Sequence, residues 1–177
     1  MYRIDTLLKQ EQKLFHTQDL ALLWGIKNTN TLYTAIKRYI KKGVLIRIHK
    51  GFYSVVPLEK INPVKLGIGY LHRYAYLSTE SVLREKGIIF QEGGYITLIS
   101  SISKKFKLDK YNYLVRSMKE EFLYQTAGLI EREGMRVATV ERAAVDILYY
   151  NPHYHFDNPQ SIDWQKVKRI QKEVGYK

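Results

Sequence analysis

The sequence predicts an α+β chain: a winged helix-turn-helix unit over residues 1–57, then a mixed α/β domain over residues 58–177. Three observations predict it. Amphipathic helical spacings with recognisable caps succeed one another up to Gly43, where the pattern changes to β-rich runs. Lys50-Gly51 stands between two such runs, as a tight hairpin turn does. Beyond Asn62-Pro63, helical and strand patterns mix, with no internal repeat and no low-complexity tract.

The first amphipathic segment runs from Arg3 to about Lys13, with Ile4, Leu7 and Leu8 as its apolar stripe. Leu14-Phe15-His16 follows. Thr17 is the expected N-cap of a short helix, Gln18–Trp24, because its hydroxyl can accept from an otherwise unpaired N–H. Asp19 suits the positive end of that helix dipole. Leu20, Leu23 and Trp24 are its expected buried residues, and Gly25 its left-handed stop. Asn28 or Thr29 caps a third helix, about Asn30 to Lys42, that buries Leu32, Ala35, Ile36, Tyr39 and Ile40. Gly43 ends it. Val44–His49 and Phe52–Val56 read as the two strands of the hairpin.

In the second part, Asn62-Pro63 opens a helix that runs to about Arg73. Gly67 and Gly69 weaken that helix and permit close packing against a neighbour. Tyr76-Leu77 is extended, and Ser78 is the expected cap of a short helix, Thr79–Lys86, ended by Gly87. Gly93-Gly94 reads as a turn and Tyr95–Ile99 as a strand. Lys104–Lys107 is a basic stretch, and Asn112–Ser117 another strand. Glu133-Gly134 joins residues 129–132 and 135–138 as a hairpin. Thr139 caps a helix from Val140 to Tyr150, and the last helix covers about Asp163–Val174.

Charge and composition narrow the function classes. The chain has 29 Lys/Arg against 17 Asp/Glu, a net charge of +12. Residues 1–56 hold ten of those cations and three acids, a local excess of +7. An excess so concentrated implies a polyanionic partner, and nucleic acid is the first reading. With no cysteine, disulfides, thiolate zinc sites and cysteine nucleophiles are excluded. There is no run of about 18 apolar residues and no leader-like start, so no membrane span is expected and a cytoplasmic location is.

The third helix carries the sharpest functional pattern. Its polar face presents Asn30, Thr31, Tyr33 and Thr34 near the start, then Lys37, Arg38 and Lys41, while Arg47 and Lys50 lie on the hairpin. Short side chains near a recognition helix's N-terminus reach base edges, and longer cations farther on reach phosphates. These nine residues are the candidate contacts to double-stranded operator DNA.

Three stretches carry a family resemblance. The first runs from Thr17-Gln18-Asp19-Leu20 through Thr31-Leu32-Tyr33 to Lys42-Gly43-Val44-Leu45 and Lys50-Gly51-Phe52-Tyr53. The second is Ala75-Tyr76-Leu77-Ser78-Thr79-Glu80-Ser81-Val82-Leu83 with Gly87-Ile88, and the third runs from Val137-Ala138-Thr139 to Asp146-Ile147-Leu148. Their order and spacing resemble the AbiEi-type antitoxins of abortive-infection toxin–antitoxin systems. One departure is Lys86, which stands where that family commonly has His. The resemblance implies an N-terminal domain that binds operator DNA and represses its own operon. It also implies a C-terminal domain that neutralises a nucleotidyltransferase-like toxin without requiring a stable complex, in the manner called type IV. It makes Ser78, Glu80, Ser81, Glu141, Arg142 and Asp146 the candidates for antitoxin activity.

Bland readings of several residues stand beside these. Arg142 and Asp146 are spaced i, i+4 on one helix, which favours a structural ion pair over acid–base chemistry. Glu141 suits the first helical turn by charge alone. His153, His155 and Asp157 read as a polar loop rather than as metal ligands. No phosphate-binding glycine loop, nucleophile elbow or zinc-protease helix is present, so neither an enzyme nor a cofactor is expected. The alternative is a plain winged-helix transcription factor whose second domain dimerises or senses a ligand.

Overall fold

The structure is a computed structural model that describes residues 3–90 and 93–176. It divides into two compact units, one ending at His72 and the other starting at Arg73.

The first unit contains α1 (Arg3–Leu8), β1 (Leu14–His16), α2 (Thr17–Trp24), α3 (Thr29–Lys41), β2 (Ile46–His49), β3 (Phe52–Ser54) and α4 (Pro63–Leu71). Its sheet has the order β1-β3-β2, both pairings antiparallel, with a register irregularity between Arg47 and His49. Three helices and a winged hairpin are therefore present, as expected. The core gathers Phe15, Leu20, Trp24, Ile26, Leu32, Ile36, Tyr39, Leu45 and Tyr53. Leu23 and Ile40, expected inside, are only partly buried against that core.

Two local expectations are corrected. α1 stops at Leu8 rather than near Lys13, because the chain turns to supply β1, a strand with no clear signal in three residues. Phe15 is buried there, and β1 gives β3 a second hydrogen-bonded neighbour. Thr17 is not the cap of α2 but its first residue. His16 is the cap, and the Asp19 carboxylate accepts from the His16 backbone N–H at 2.6 Å. The Thr17 backbone N–H donates to the Gly51 carbonyl at 3.0 Å, which ties the start of α2 to the wing turn.

α4 belongs to this unit by packing. Asn62 caps it, accepting from the Val64 N–H at 2.9 Å. Its Gly69 lies so near β1 that a Cβ there would stand 2.8 Å from Leu14 Cδ1. The Gly69 carbonyl accepts from His16 Nε2 at 2.8 Å. Close approach explains this glycine in a helix interior, where propensity disfavours it.

The second unit is built on a six-stranded mixed sheet of order β6-β7-β5-β4-β9-β8. Its strands are β4 (Ala75–Leu77), β5 (Tyr95–Ser100), β6 (Lys104–Leu108), β7 (Tyr111–Ser117), β8 (Leu129–Arg132) and β9 (Met135–Ala138). β5 runs parallel to β7, and β4 parallel to β9, while the other pairings are antiparallel. Among the described residues, α5 (Glu80–Glu85), α6 (Glu120–Leu123), α7 (Val140–Tyr150) and α8 (Trp164–Val174) complete it. The expected 133–134 turn is present, with positive φ at both Glu133 and Gly134, as a two-residue hairpin requires. The basic stretch at 104–107 proves to be edge strand β6. Phe106 stacks on Tyr113 of β7 at 4.7 Å between ring centres. Its lysines Lys104, Lys105 and Lys107 are exposed, and such charge on an edge strand blocks stray pairing.

Candidate functional site

In the first unit, the nine residues expected to face DNA are all exposed: Asn30, Thr31, Tyr33, Thr34, Lys37, Arg38 and Lys41 on α3, Arg47 on β2, and Lys50 in the wing turn. The opposite face of α3 buries Leu32, Ala35, Ile36 and Tyr39, which fixes how the polar face is presented. Asn28 caps α3, accepting from both the Thr31 N–H at 3.0 Å and the Thr31 hydroxyl at 3.2 Å. The Thr31 hydroxyl proton is thereby engaged, leaving its oxygen as an acceptor, whereas Thr34 carries no such bond to the cap. Arg38 lies over the Tyr39 ring at 5.3 Å. No acidic residue occurs between Asp19 and Glu59, while Lys27, Lys37, Arg38, Lys41, Lys42, Arg47 and Lys50 all fall in that interval. A face without carboxylates to neutralise its cations presents an undivided positive potential.

The base of the wing has an aromatic brace that sequence spacing did not reveal. The Tyr70 ring of α4 meets His49 of β2 edge-on at 5.2 Å and Phe52 of β3 at 5.8 Å. His16 stacks on His72 at 4.3 Å, and His72 Nε2 lies 3.4 Å from the Asp19 carboxylate.

In the second unit, the two resemblance-bearing stretches meet in a buried ionic cluster. Arg142 and Asp146 on α7 are both fully buried, with Nε donating to Oδ1 at 2.8 Å. The Arg142 guanidinium also donates to the carbonyls of Gln125 at 3.0 Å and Ala127 at 2.8 Å. Asp146 further accepts from the hydroxyls of Ser78 at 2.7 Å, Tyr76 at 3.1 Å and Tyr176 at 2.8 Å. Burial pushes the Asp146 carboxyl up from its ordinary range, and Arg142 with the hydrogen bonds from Ser78 and Tyr176 pulls it back toward the charged form. Burial works against the Arg142 charge, but Asp146 and the two tyrosine hydroxyls outweigh it and hold the guanidinium protonated. The cluster thus joins β4, α7, the segment before β8 and the C-terminal end. Gly128, in left-handed conformation, lets that segment approach: a Cβ there would stand 2.7 Å from Arg142 Cβ. Ser78, expected as a helix cap, is instead fully buried with its hydroxyl on Asp146. The buried Asp146 acceptor takes the Ser78 hydroxyl, and Thr79 occupies the cap position without capping through its side chain.

The remaining candidates lie outside this cluster. Glu141 pairs with Lys166 of α8 at 3.2 Å. Glu80 is hydrogen-bonded to Arg116 of β7. Ser81 accepts from the Thr97 N–H at 2.7 Å, and its own N–H donates to the Thr97 hydroxyl at 2.9 Å. His155 and Asp157 stand 4.0 Å apart, and Asp157 accepts from the Phe90 N–H at 2.6 Å. Among the described residues no group of three or more His, Asp or Glu is arranged to hold a metal ion, and no helix is long and apolar enough to cross a membrane.

Burial drives the phenols of Tyr76, Tyr113 and Tyr176 far above the ordinary tyrosine range, and Asp146 adds to this for Tyr76 and Tyr176. The unfolded chain releases these protons from about pH 10 upward, whereas the folded chain retains them. The unfolded state then binds fewer protons, so stability is full below about pH 10 and falls as pH rises above it. Tyrosinate absorbance should accordingly rise in two stages, the buried group appearing only as the circular dichroism signal is lost. Full ionisation of all tyrosines in a folded chain would contradict the buried cluster.

Residues 2–56 match the family model described as transcriptional regulator, AbiEi antitoxin. No match is found among curated proteins. Among solved structures, the crystal structure of the RV2827C protein from Mycobacterium tuberculosis is similar over 98% of this chain and 73% of its own length, with a TM-score of 0.56. The identity is 16%, so the likeness is one of fold.

Proposed function

We propose, from a first unit that matches the AbiEi antitoxin transcriptional-regulator model, that this chain is a cytoplasmic DNA-binding repressor of its own operon. On the same reading it is the antitoxin of a type IV-like abortive-infection system, and it counteracts a nucleotidyltransferase-like toxin without a stable complex. The observation that carries the DNA-binding part is the exposed face of α3 and the wing, on which Lys37, Arg38, Lys41, Arg47 and Lys50 fall in an interval free of acids. Asn30, Thr31, Tyr33 and Thr34 face base edges in the major groove, and Lys37, Arg38, Lys41, Arg47 and Lys50 meet phosphates. The antitoxin part is supported by the resemblance of the second unit's two stretches, which meet at the Arg142–Asp146 cluster. That cluster is buried, so its role in such an activity is to shape the unit. Glu80, Ser81 and Glu141 are the partly accessible members of the candidate set.

Co-expression with the toxin encoded beside it tests the antitoxin part: growth under toxin induction is restored by the chain. Operator binding without any growth rescue would leave a transcription factor and reject the antitoxin. Within the DNA-binding part, Lys50→Ala should weaken binding to operator and random DNA alike, by a few-fold to about tenfold, the loss of one phosphate contact. Thr34→Ala should weaken the operator selectively. Competition binding with both DNAs reads the difference, and a Lys50→Ala defect confined to the operator would contradict the assignment.

A further inference from the structure

A cavity of about 370 Å³ opens in the second unit between α5, the β8–β9 hairpin and the start of α7. Small-molecule sites occupy roughly 300–1,000 Å³, so this volume suits one small guest. Its floor is aliphatic. Val82 of α5 and Val137 and Ala138 of β9 line it, and all three are otherwise closed to solvent. Val140 of α7 is half-buried on the wall, and Ile130 of β8 stands at the open side with half of its surface exposed. Among the described residues no aromatic side chain lines the cavity, so a nucleobase or another flat ring finds no stacking partner in it.

The charged groups around this floor are unequally matched. Arg132 makes two hydrogen bonds to the Glu85 carboxylate, at 2.7 and 3.2 Å, and they hold that carboxyl below its ordinary range. The pair joins α5 to β8 and so ties two walls of the cavity together. Glu141 is paired with Lys166 of α8 at 3.2 Å. Lys86, the residue that ends α5, also lines the cavity and is exposed. It acts on Glu85 only as a weaker electrostatic neighbour, behind Arg132, and forms no ion pair among the described residues. One positive charge is therefore left uncompensated at the edge of an aliphatic surface. Thr139 adds a donor to the wall: its hydroxyl accepts from the Arg142 N–H at 3.2 Å, which leaves its own proton to give.

A guest that matches this lining has an aliphatic body and a single negative charge. A phosphomonoester carries close to two charges near neutral pH and would meet one unpaired cation. An alkylamine would set like charge against Lys86. We propose that the cavity is a binding site for a small aliphatic carboxylate, its chain against Val82, Ile130, Val137 and Val140 and its carboxylate on the Lys86 ammonium. Burial of the chain supplies the affinity, and Lys86 selects the charged end.

Equilibrium dialysis of the full chain against labelled octanoate, below its micellar concentration and at fixed ionic strength, tests this. The expected result is saturable binding of one octanoate per chain. Acetate carries the charge without the chain and should not compete, which also separates this site from general attraction of anions to the cationic face of the first unit. The neutral probe 1-octanol carries the chain without the charge and should compete about fivefold more weakly than octanoate, the effect of one exposed ion pair. Lys86→Ala should weaken octanoate by the same factor and leave 1-octanol unchanged, whereas Ile130→Ser should weaken both alike. Both residues are exposed, so the variants should fold as the parent does, which circular dichroism verifies. Absence of saturable octanoate binding, competition by acetate as strong as by octanoate itself, or an octanoate affinity unchanged in Lys86→Ala would overturn the proposal.

Discussion

Replacement of Asp146 by Asn should destabilise the second unit by about 3–5 kcal/mol, the usual cost of stranding one partner of a buried ion pair. Arg142 would keep its charge, fully buried, with only two carbonyls and a phenol facing it. The hydroxyls of Ser78, Tyr76 and Tyr176 would at the same time face an amide that supplies one acceptor oxygen and two unwanted donors. Several buried groups lose partners together, and each unmet group carries its own desolvation penalty. Urea unfolding followed by circular dichroism measures the change. A loss below about 1 kcal/mol would mean the cluster is not the anchor described here. Growth protection lost in this variant would report unfolding rather than recognition, so partly accessible positions such as Ser81 and Glu141 are the better probes of antitoxin activity.

Binding to duplex DNA should be the property most sensitive to salt. With about four to six phosphates engaged by the cations of α3 and the wing, log K should fall against log salt with a slope near −4 to −5. Between 50 and 200 mM salt the affinity then drops by about 250- to 1,000-fold. The absence of acids between Asp19 and Glu59 makes the steep slope necessary, since no local carboxylate competes with phosphate for these cations. A titration with a slope near zero would remove nucleic acid from consideration as the partner of this face.

The parts of the fold legible in the sequence were those set by local physics. Gly25 ends α2 in left-handed conformation, Asn28 caps α3, Thr139 caps α7, and Glu133-Gly134 turns a hairpin, each from a residue type whose backbone preference or short side chain admits few alternatives. β1 and β6 were not legible as strands, because three residues, or a run of lysines around one Phe, carry no alternation strong enough to declare a partner. Their pairing comes from β3 and β7, a long-range fact. Ser78 shows the same limit at the site. Next to a helix start its hydroxyl reads as a cap, and only the fold brings Asp146, 68 residues away in sequence, within 2.7 Å. The i, i+4 spacing of Arg142 and Asp146 did disclose their ion pair, since that contact lies within one helix. The brace of Tyr70 against the wing had no local signature at all.

The central claim is that the acid-free face of α3 and the wing acts on the chain's own operon. The most direct measurement is a reporter driven by the DNA upstream of that operon, read with the full chain and with a Lys37→Ala, Lys41→Ala, Lys50→Ala triple variant. All three lysines are exposed, so the variant should fold as the parent does, which circular dichroism verifies. The account predicts repression by the parent and its loss in the triple variant. Repression of equal strength by both chains would contradict it.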